Sequence, residues 1–95
     1  MTSFEKLTYF YRDILSLDKI RLEDDYFGLV ETLLCALHNT LATHGIKISE
    51  FYRAGEYVRI RLDTRGDYKN LPIADRNFIE RIIQTFERDS RHLAN

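Results

Sequence analysis

The fold is decided by residues 45–62, which have the sequence GIKISEFYRAGEYVRIRL. Before Gly45 the apolar side chains recur every three or four residues, as on one face of a helix, whereas after it they alternate with polar side chains, as on a half-buried strand. Two alternating runs are present, formed by Ile46 and Ile48 and then by Val58, Ile60 and Leu62. This pattern predicts two antiparallel strands joined as a hairpin.

The connection between the two runs predicts the register of the hairpin. Residues 53–55 have the sequence Arg-Ala-Gly, which suits a three-residue loop with the glycine in the left-handed position. Such a loop pairs Tyr52 with Glu56, and counting outward places Ile48 opposite Ile60. In this register the apolar residues nearest the open end of the hairpin share one face, which is expected to be buried.

Two helices are predicted before the hairpin. The first covers residues 2–17, where Thr2 and Glu5 have the spacing of a capping box. The second begins at Asp24, whose carboxylate suits a helix start, and ends at Gly45, because glycine adopts the left-handed conformation past a helix end without steric cost. On a helical wheel the second helix has one apolar arc, formed by Tyr26, Phe27, Val30, Leu33, Leu34, Leu37 and Leu41.

A third helix is predicted after the hairpin. Pro72 can open it, because the proline ring presets φ and its missing amide would be unpaired at that position. The apolar stripe of this helix is formed by Phe78, Ile79, Ile82, Ile83, Phe86 and Leu93. The order is therefore α-α-β-β-α, which predicts one small α+β domain over residues 1–95, with the helices packed on one face of the antiparallel hairpin.

Composition narrows the classes of function. The 95 residues are 44% hydrophobic and 31% charged, which is the balance of an ordinary globular chain. The net charge of -1 favours neither a polyanion nor a polycation as partner. At this length only about 60 to 65% of the unfolded surface is buried on folding, so stability is modest and self-association would help. A homodimer is therefore expected.

The single cysteine, Cys35, bears on compartment and on chemistry. One thiol excludes an internal disulfide and any site that needs several thiolates, and it favours a reducing compartment. The cytoplasm is therefore the expected location. Charged residues occur within residues 1–6, and no apolar run approaches the roughly 20 residues that span a bilayer, so neither a signal peptide nor a membrane partner is expected.

The second helix places Glu31, Cys35 and His38 on the side opposite its apolar arc, which raises the question of catalysis. A nucleophilic cysteine needs a cation or a helix N-terminus to stabilise its thiolate, yet Cys35 lies mid-helix with an acidic residue one turn before it. Three ligands from one helix also cannot easily surround a zinc ion. No catalytic residue, metal site or cofactor is therefore predicted. Gly28, Cys35 and Ala42 recur every seven residues and instead predict a groove that another helix could approach closely.

The outward face of the hairpin carries the candidate binding residues. The predicted register places on it Lys47, Phe51, Tyr57, Arg59 and Arg61, and an outer stripe of the third helix adds Arg81 and Arg88. Aromatic rings stack on bases and cations hold phosphates, so such a surface can bind single-stranded nucleic acid. In the alternative interpretation, the two rings form a cross-strand pair or are covered by a second subunit, and the arginines are solvated.

The leading hypothesis is a small non-enzymatic regulatory, adaptor or inhibitor protein that binds another protein and is itself a homodimer. The chain lacks a catalytic or cofactor motif and has more aromatic residues than its core needs, since Tyr9 faces away from the apolar stripe of the first helix. Tyrosine and arginine are enriched at interface hot spots. A nucleic-acid-binding module that uses the hairpin face is the alternative. An enzyme that uses Cys35, His38 and Glu31 is the third hypothesis.

Overall fold

A computed structural model describes residues 3–17, 20–64 and 68–94 of the chain. Its helices are α1 (Ser3–Phe10), α2 (Phe27–His44) and α3 (Ile73–Ala94), its strands are β1 (Lys47–Ala54) and β2 (Tyr57–Asp63), and two short 3₁₀ turns cover Asp24–Tyr26 and Tyr68–Asn70. The strands form one antiparallel sheet. The predicted α+β class, the α-α-β-β-α order and the packing of helices on the hairpin are confirmed. Thr2 of the predicted capping box lies outside the described residues.

Helix α2 is the central element, as its apolar arc predicts. The buried residues of the arc within this helix are Val30, Leu33, Leu34, Leu37 and Leu41. The 3₁₀ turn that contains Asp24 precedes the helix, and Gly45 follows it with φ of 67°. The amide of Gly45 donates to the carbonyl of Ala42, and the amide of Ile46 donates to that of Leu41. These two bonds form a Schellman motif, so the glycine ends the helix and begins the turn into β1.

Helix α1 is shorter than predicted, because it ends at Phe10. The chain then turns, and Leu15 forms a parallel bridge with Ile48 of β1. The amide of Ser16 donates to the carbonyl of Ile48 at 2.8 Å, and the amide of Ile48 donates to the carbonyl of Ile14 at 2.7 Å. Both Ile14 and Leu15 are buried in this extended segment. Their helical spacing is therefore misleading, because the outer edge of β1 offers their backbone the hydrogen bonds that a longer helix would have supplied.

The register of the hairpin differs from the prediction. Gly55 has the predicted left-handed conformation, with φ of 71°, but the strands close on Ala54 and Tyr57, so the loop has two residues and not three. Tyr52 consequently pairs with Arg59 and not with the residue after Gly55. A glycine at the first position of a two-residue loop is typical of turns whose twist matches that of the strands, which favours the shorter loop.

A β-bulge directly after Ile48 directs Phe51 into the core. One extra residue of β1 faces β2 there. Ile60, which was predicted to lie opposite Ile48, pairs with Phe51 because the two-residue loop shifts the register. The extra residue also changes the alternation of side chains along β1. Phe51 was predicted to face outward and is only 7% exposed, with its ring packed against that of Phe86 at a centroid distance of 6.0 Å.

Helix α3 covers the outer edge of β2. The helix begins directly after Pro72, as predicted. The amide of Val58 on β2 donates to the hydroxyl of Ser90 at 3.0 Å, and this hydroxyl donates to the carbonyl of Glu87 at 2.7 Å. Ser90 is fully buried, and its hydroxyl acts both as acceptor and as donor. The edge of the strand is therefore closed by a side chain of the helix.

Two residues of the predicted α3 stripe remain exposed. Ile79 and Phe86 are buried, whereas Phe78 and Leu93 are not. Twenty-two helical residues span about 33 Å, whereas a strand of seven residues spans about 23 Å, so the helix extends beyond the strand that it covers.

None of the helices in the described part of the chain has the length and the apolar composition that crossing a bilayer requires.

Candidate functional site

An open groove of about 750 Å³ lies between α1 and α2, and we call it the α1–α2 groove. Its lining comprises Lys6, Leu7, Phe10 and Tyr11 from α1 and the turn after it, and Phe27, Glu31, Thr32, Cys35 and Ala36 from α2. The exposed surface of this lining is mainly apolar. A concave apolar surface with a few polar groups is the usual form of a site that binds another molecule.

The α1–α2 groove is open because α1 is short and the facing side chains of α2 are small. The eight residues of α1 span only about 12 Å, against about 27 Å for the 18 residues of α2. The helices meet where the ring of Phe4 packs edge-on against Phe27, with centroids 5.8 Å apart, and where Leu7 is buried. Further along α2, Cys35 and Ala36 are too small to fill the space beside α1.

A network of side chains fixes one end of the groove. The imidazole of His38 contacts the carboxylate of Asp13 at 2.7 Å and lies edge-on to the ring of Tyr11, with centroids 5.3 Å apart. Burial raises the pKa of Tyr11 above its ordinary value of 10.0, and the nearby Cys35 and Glu31 raise it further. Tyr11 therefore keeps its phenolic proton at neutral pH and contributes a neutral hydrogen-bonding group to the wall of the groove.

Cys35 and His38 share one side of α2 but are not joined by a hydrogen bond among the described residues. The Nε2 atom of His38 contacts Asp13, and the thiol of Cys35 is exposed. The same part of the chain contains no group of three or more His, Cys, Asp or Glu residues that could hold a metal ion. The thiol of Cys35 is part of the lining of the groove.

Two aromatic rings of α1 are largely exposed, Phe10 at 71% and Tyr9 at 64%. The guanidinium of Arg12 lies 4.9 Å from the centroid of the Tyr9 ring and partly covers it. Phe10 lines the groove and contacts Tyr11 edge-on at a centroid distance of 4.9 Å. The Phe10 ring and the apolar lining of the groove are contiguous, and a contiguous exposed apolar patch is typical of an interaction surface. Sequence reasoning singled out Tyr9 and missed Phe10, because the predicted first helix continued past this residue.

The exposed side of α2 carries small side chains and lies between the two neighbouring helices, α1 and α3. A second, narrower groove of about 80 Å³ lies between α2 and α3 and shares Thr32 and Ala36 with the α1–α2 groove. Gly28, Cys35 and Ala42 are all exposed on α2. The seven-residue spacing of these three residues predicted a helix face open to close approach, and their exposure agrees with that prediction.

The outer face of the hairpin holds predicted binding residues whose side chains are already engaged. Arg59 donates to the carboxylate of Glu87 at 3.3 Å. The guanidinium of Arg61 lies 5.2 Å from the centroid of the Tyr52 ring, and its Nε atom lies 3.6 Å from the carboxylate of Glu50. The arginines of this face are therefore held by neighbouring rings and carboxylates.

Helix α3 adds two arginines beside the outer face of the hairpin. The guanidinium of Arg91 lies 4.7 Å from the centroid of the Tyr57 ring. Arg88 lines a shallow depression with Tyr57, and its Nε atom lies 3.5 Å from the carboxylate of Asp89. Sequence reasoning missed Arg91 and Tyr52, because only the packing of α3 and the bulge in β1 bring these residues to the face.

The structure does not bring the other predicted binding residues together on this face. Phe51 lies in the core, Lys47 is half-buried at the first position of β1, and Arg81 is exposed on α3. With Glu50 and Glu87 beside its arginines, the outer face of the hairpin has paired charges. The positive charges of Arg59 and Arg61 are therefore partly neutralised by these carboxylates.

No protein-family model, no curated protein and no solved structure matches the chain. The fold and the surface therefore define the class of the molecule. It is a small α+β domain with an apolar groove between two helices and with a hairpin face whose charges are paired.

Proposed function

We propose that the chain is a small non-enzymatic regulatory, adaptor or inhibitor protein that binds another protein through the α1–α2 groove. The observation that carries this proposal is Phe10, which is 71% exposed at the rim of an apolar groove. Burying a phenylalanine side chain is worth about 1.5–3 kcal/mol, so a partner that covers this ring gains a large part of its binding free energy there. The single Cys35 favours a reducing compartment, and we place the protein in the cytoplasm.

The form of the groove favours a protein as the partner. A floor of small side chains on α2 beside an apolar wall on α1 suits the apolar face of a helix or an aromatic anchor residue. The hydroxyl groups of Tyr11 and Thr32 lie in the same lining and can form hydrogen bonds that orient a partner. Apolar burial and a few directed polar contacts together are what a specific protein interface requires.

The proposal is tested with the immobilised chain and its variant Phe10→Asp, which places a charge at the rim without changing the core. Tyr9→Asp is the matched control, because Tyr9 is an exposed aromatic residue of the same helix outside the groove lining. We expect the wild type and Tyr9→Asp to retain the same proteins from a cell extract and Phe10→Asp to lose them. Circular dichroism checks that all three are folded. Retention that does not depend on Phe10 would exclude the groove as the binding site.

A second candidate function is nucleic-acid binding at the outer face of the hairpin. Tyr52 pairs with Arg59 and shares the face with Tyr57, so rings and a cation are adjacent, as in surfaces that bind single strands. The carboxylates of Glu50 and Glu87 oppose this function, because phosphates would have to displace them from the arginines. Retardation of a single-stranded oligonucleotide that weakens steeply with salt, and less steeply in Arg59→Ala, would support it. No retardation at low salt would remove it.

A further inference from the structure

We propose that the α1–α2 groove binds a second copy of this chain, related by a two-fold axis near Cys35, with Phe10 of each copy inserted into the groove of the other. This inference rests on the proposed function, because it names the partner of the same groove. In a two-fold dimer every contact occurs twice with the roles exchanged, so one surface must carry both members of each contact. The α1–α2 groove meets this requirement for its apolar contacts and for its charges.

The apolar members of the contact are a projecting ring and the groove beside it. Phe10 is exposed at the rim, and the groove of about 750 Å³ has room for a phenylalanine side chain. Because Cys35 lines the same groove, an axis near this residue brings the ring of one copy to the floor that Thr32 and Ala36 form in the other. Both rings leave water in one association step, so a single apolar residue contributes to the affinity twice.

The charges at the rim are also self-complementary. Lys6 and Glu31 line the groove from opposite helices and are both exposed. Neither has an ion-pair partner within 4.0 Å in the part of the chain that the structure describes. In the proposed dimer, the two-fold axis near Cys35 brings Lys6 of each copy near Glu31 of the other, so both charges gain an opposite partner. This charge complementarity favours a second copy over an unrelated protein as the occupant.

The exposed side of α2 permits the close approach that this dimer needs. Gly28 and Ala42 lie seven residues on either side of Cys35, so an antiparallel α2 centred on Cys35 faces each glycine with an alanine. These small uncharged residues oppose the second copy neither sterically nor electrostatically. The 18 residues of α2 present this side over a length of about 27 Å.

Light scattering of the full chain tests the dimer directly. We expect a mass of twice the 11.3 kDa of one chain. Phe10→Asp should raise the dimer Kd by more than about 100-fold, because two buried rings are replaced by two charges. Tyr9→Asp should leave the Kd within about threefold of the wild type, because that side chain is not part of the groove lining. Thermal unfolding of the variants checks that each is folded.

Charge exchange tests the orientation of the two copies. Lys6→Glu and Glu31→Lys, each alone, bring like charges together at both symmetric contacts and should weaken the dimer by about tenfold or more. The double variant restores opposite charges at both contacts and should recover wild-type affinity. An equimolar mixture of the two single variants should recover it too, as a mixed dimer. This recovery requires that Lys6 meets Glu31 of a second copy.

The outcomes separate this inference from the proposed function. Two results together support the two-fold interface. The dimer is lost in Phe10→Asp, and wild-type affinity returns when Lys6→Glu and Glu31→Lys are combined. A wild-type monomer that binds other proteins only when Phe10 is intact would overturn the interface and leave the proposed function in place. A dimer unaffected by these substitutions would overturn the inference, because its interface would lie elsewhere. A monomer without Phe10-dependent binding would overturn both.

Discussion

The outer face of the hairpin and the α1–α2 groove differ in whether their exposed side chains already contact other groups of the chain. On the hairpin, Arg61 lies over the ring of Tyr52, and Arg59 donates to Glu87. At the groove, Phe10 remains largely in water. Side chains that already contact each other must lose those contacts before they can bind a partner, and this loss reduces the binding free energy. A solvated apolar ring loses no such contact, so its burial contributes to the binding free energy in full. Residue type alone therefore does not identify an interface, because the contacts already made within the chain decide which surface can gain from binding.

The largest loss of stability is expected on substitution of Phe51, which lies on the inner face of the hairpin. A comparison with the outer face tests which side of the hairpin is buried. Phe51→Ala should lower the free energy of unfolding by about 3–5 kcal/mol, because it removes a buried ring that packs on Phe86. Tyr52→Ala is the control on the adjacent, outward position and should lower it by much less, since that ring is only half-buried. Urea unfolding measures both. A larger loss in Tyr52→Ala would show that the two faces are assigned wrongly.

The next effect is expected at Ser90, whose hydroxyl closes the edge of β2. Ser90→Ala should lower the free energy of unfolding by about 1–3 kcal/mol, because it leaves the buried amide of Val58 without its acceptor. Hydrogen exchange at that amide should accelerate as well. Ser49→Ala removes a hydroxyl that donates to the carbonyl of Arg61 at an exposed position, and it should change stability much less. Equal losses in the two serine variants would argue against the closed edge.

A smaller effect on the free energy of unfolding is expected at Tyr11, in the wall of the groove. This effect depends on pH. Because burial raises the pKa of Tyr11 in the folded state, its contribution to stability is complete below the ordinary value of 10.0 and is lost as the pH rises through that value towards the raised one. The pKa of Tyr68 is raised by burial too, and this residue remains in the variant. Between about pH 8 and about pH 10.5, Tyr11→Phe should lose less stability than the wild type. Identical losses in urea unfolding would place the phenol in solvent.

The smallest effect is expected at Arg59 on the outer face of the hairpin. The ion pair with Glu87 is solvent-exposed on the arginine side, so it is weak and is screened by salt. Arg59→Ala should therefore leave the midpoint of urea unfolding almost unchanged. A double-mutant cycle with Glu87→Ala, at low and at high salt, measures the coupling between the two residues. A coupling that persisted at high salt would show that this pair is a structural part of the hairpin.

The elements that sequence predicted correctly are those set by local backbone chemistry. Gly45 ends α2, Gly55 lies in the hairpin loop, and Pro72 precedes α3, each where the preferred φ of the residue requires it. The error in the length of α1 arises because distant contacts compete with the local pattern. The end of α1 depends on hydrogen bonds between Ile14 and Ile48, and these residues are far apart in the sequence. No periodicity of side chains reports such a bond.

The candidate site was predictable only in part for the same reason. The spacing of Gly28, Cys35 and Ala42 predicted an open face on the second helix, because small side chains leave space wherever the helix packs. The second wall of the groove depends on where α1 ends, and that end is set by the bridge to β1. Phe10 is the last residue of α1 and is 71% exposed. The bulge after Ile48 similarly removed Phe51 from the predicted binding face.

Each outer edge of the sheet is hydrogen-bonded at one residue to a distant part of the chain. Ile48 of β1 bonds to Ile14 and Ser16, and Val58 of β2 bonds to Ser90. An uncovered strand edge is a template on which other polypeptides can add strands. A nascent or proteolysed chain that lacks either closing segment would therefore aggregate under conditions in which the intact chain stays dispersed.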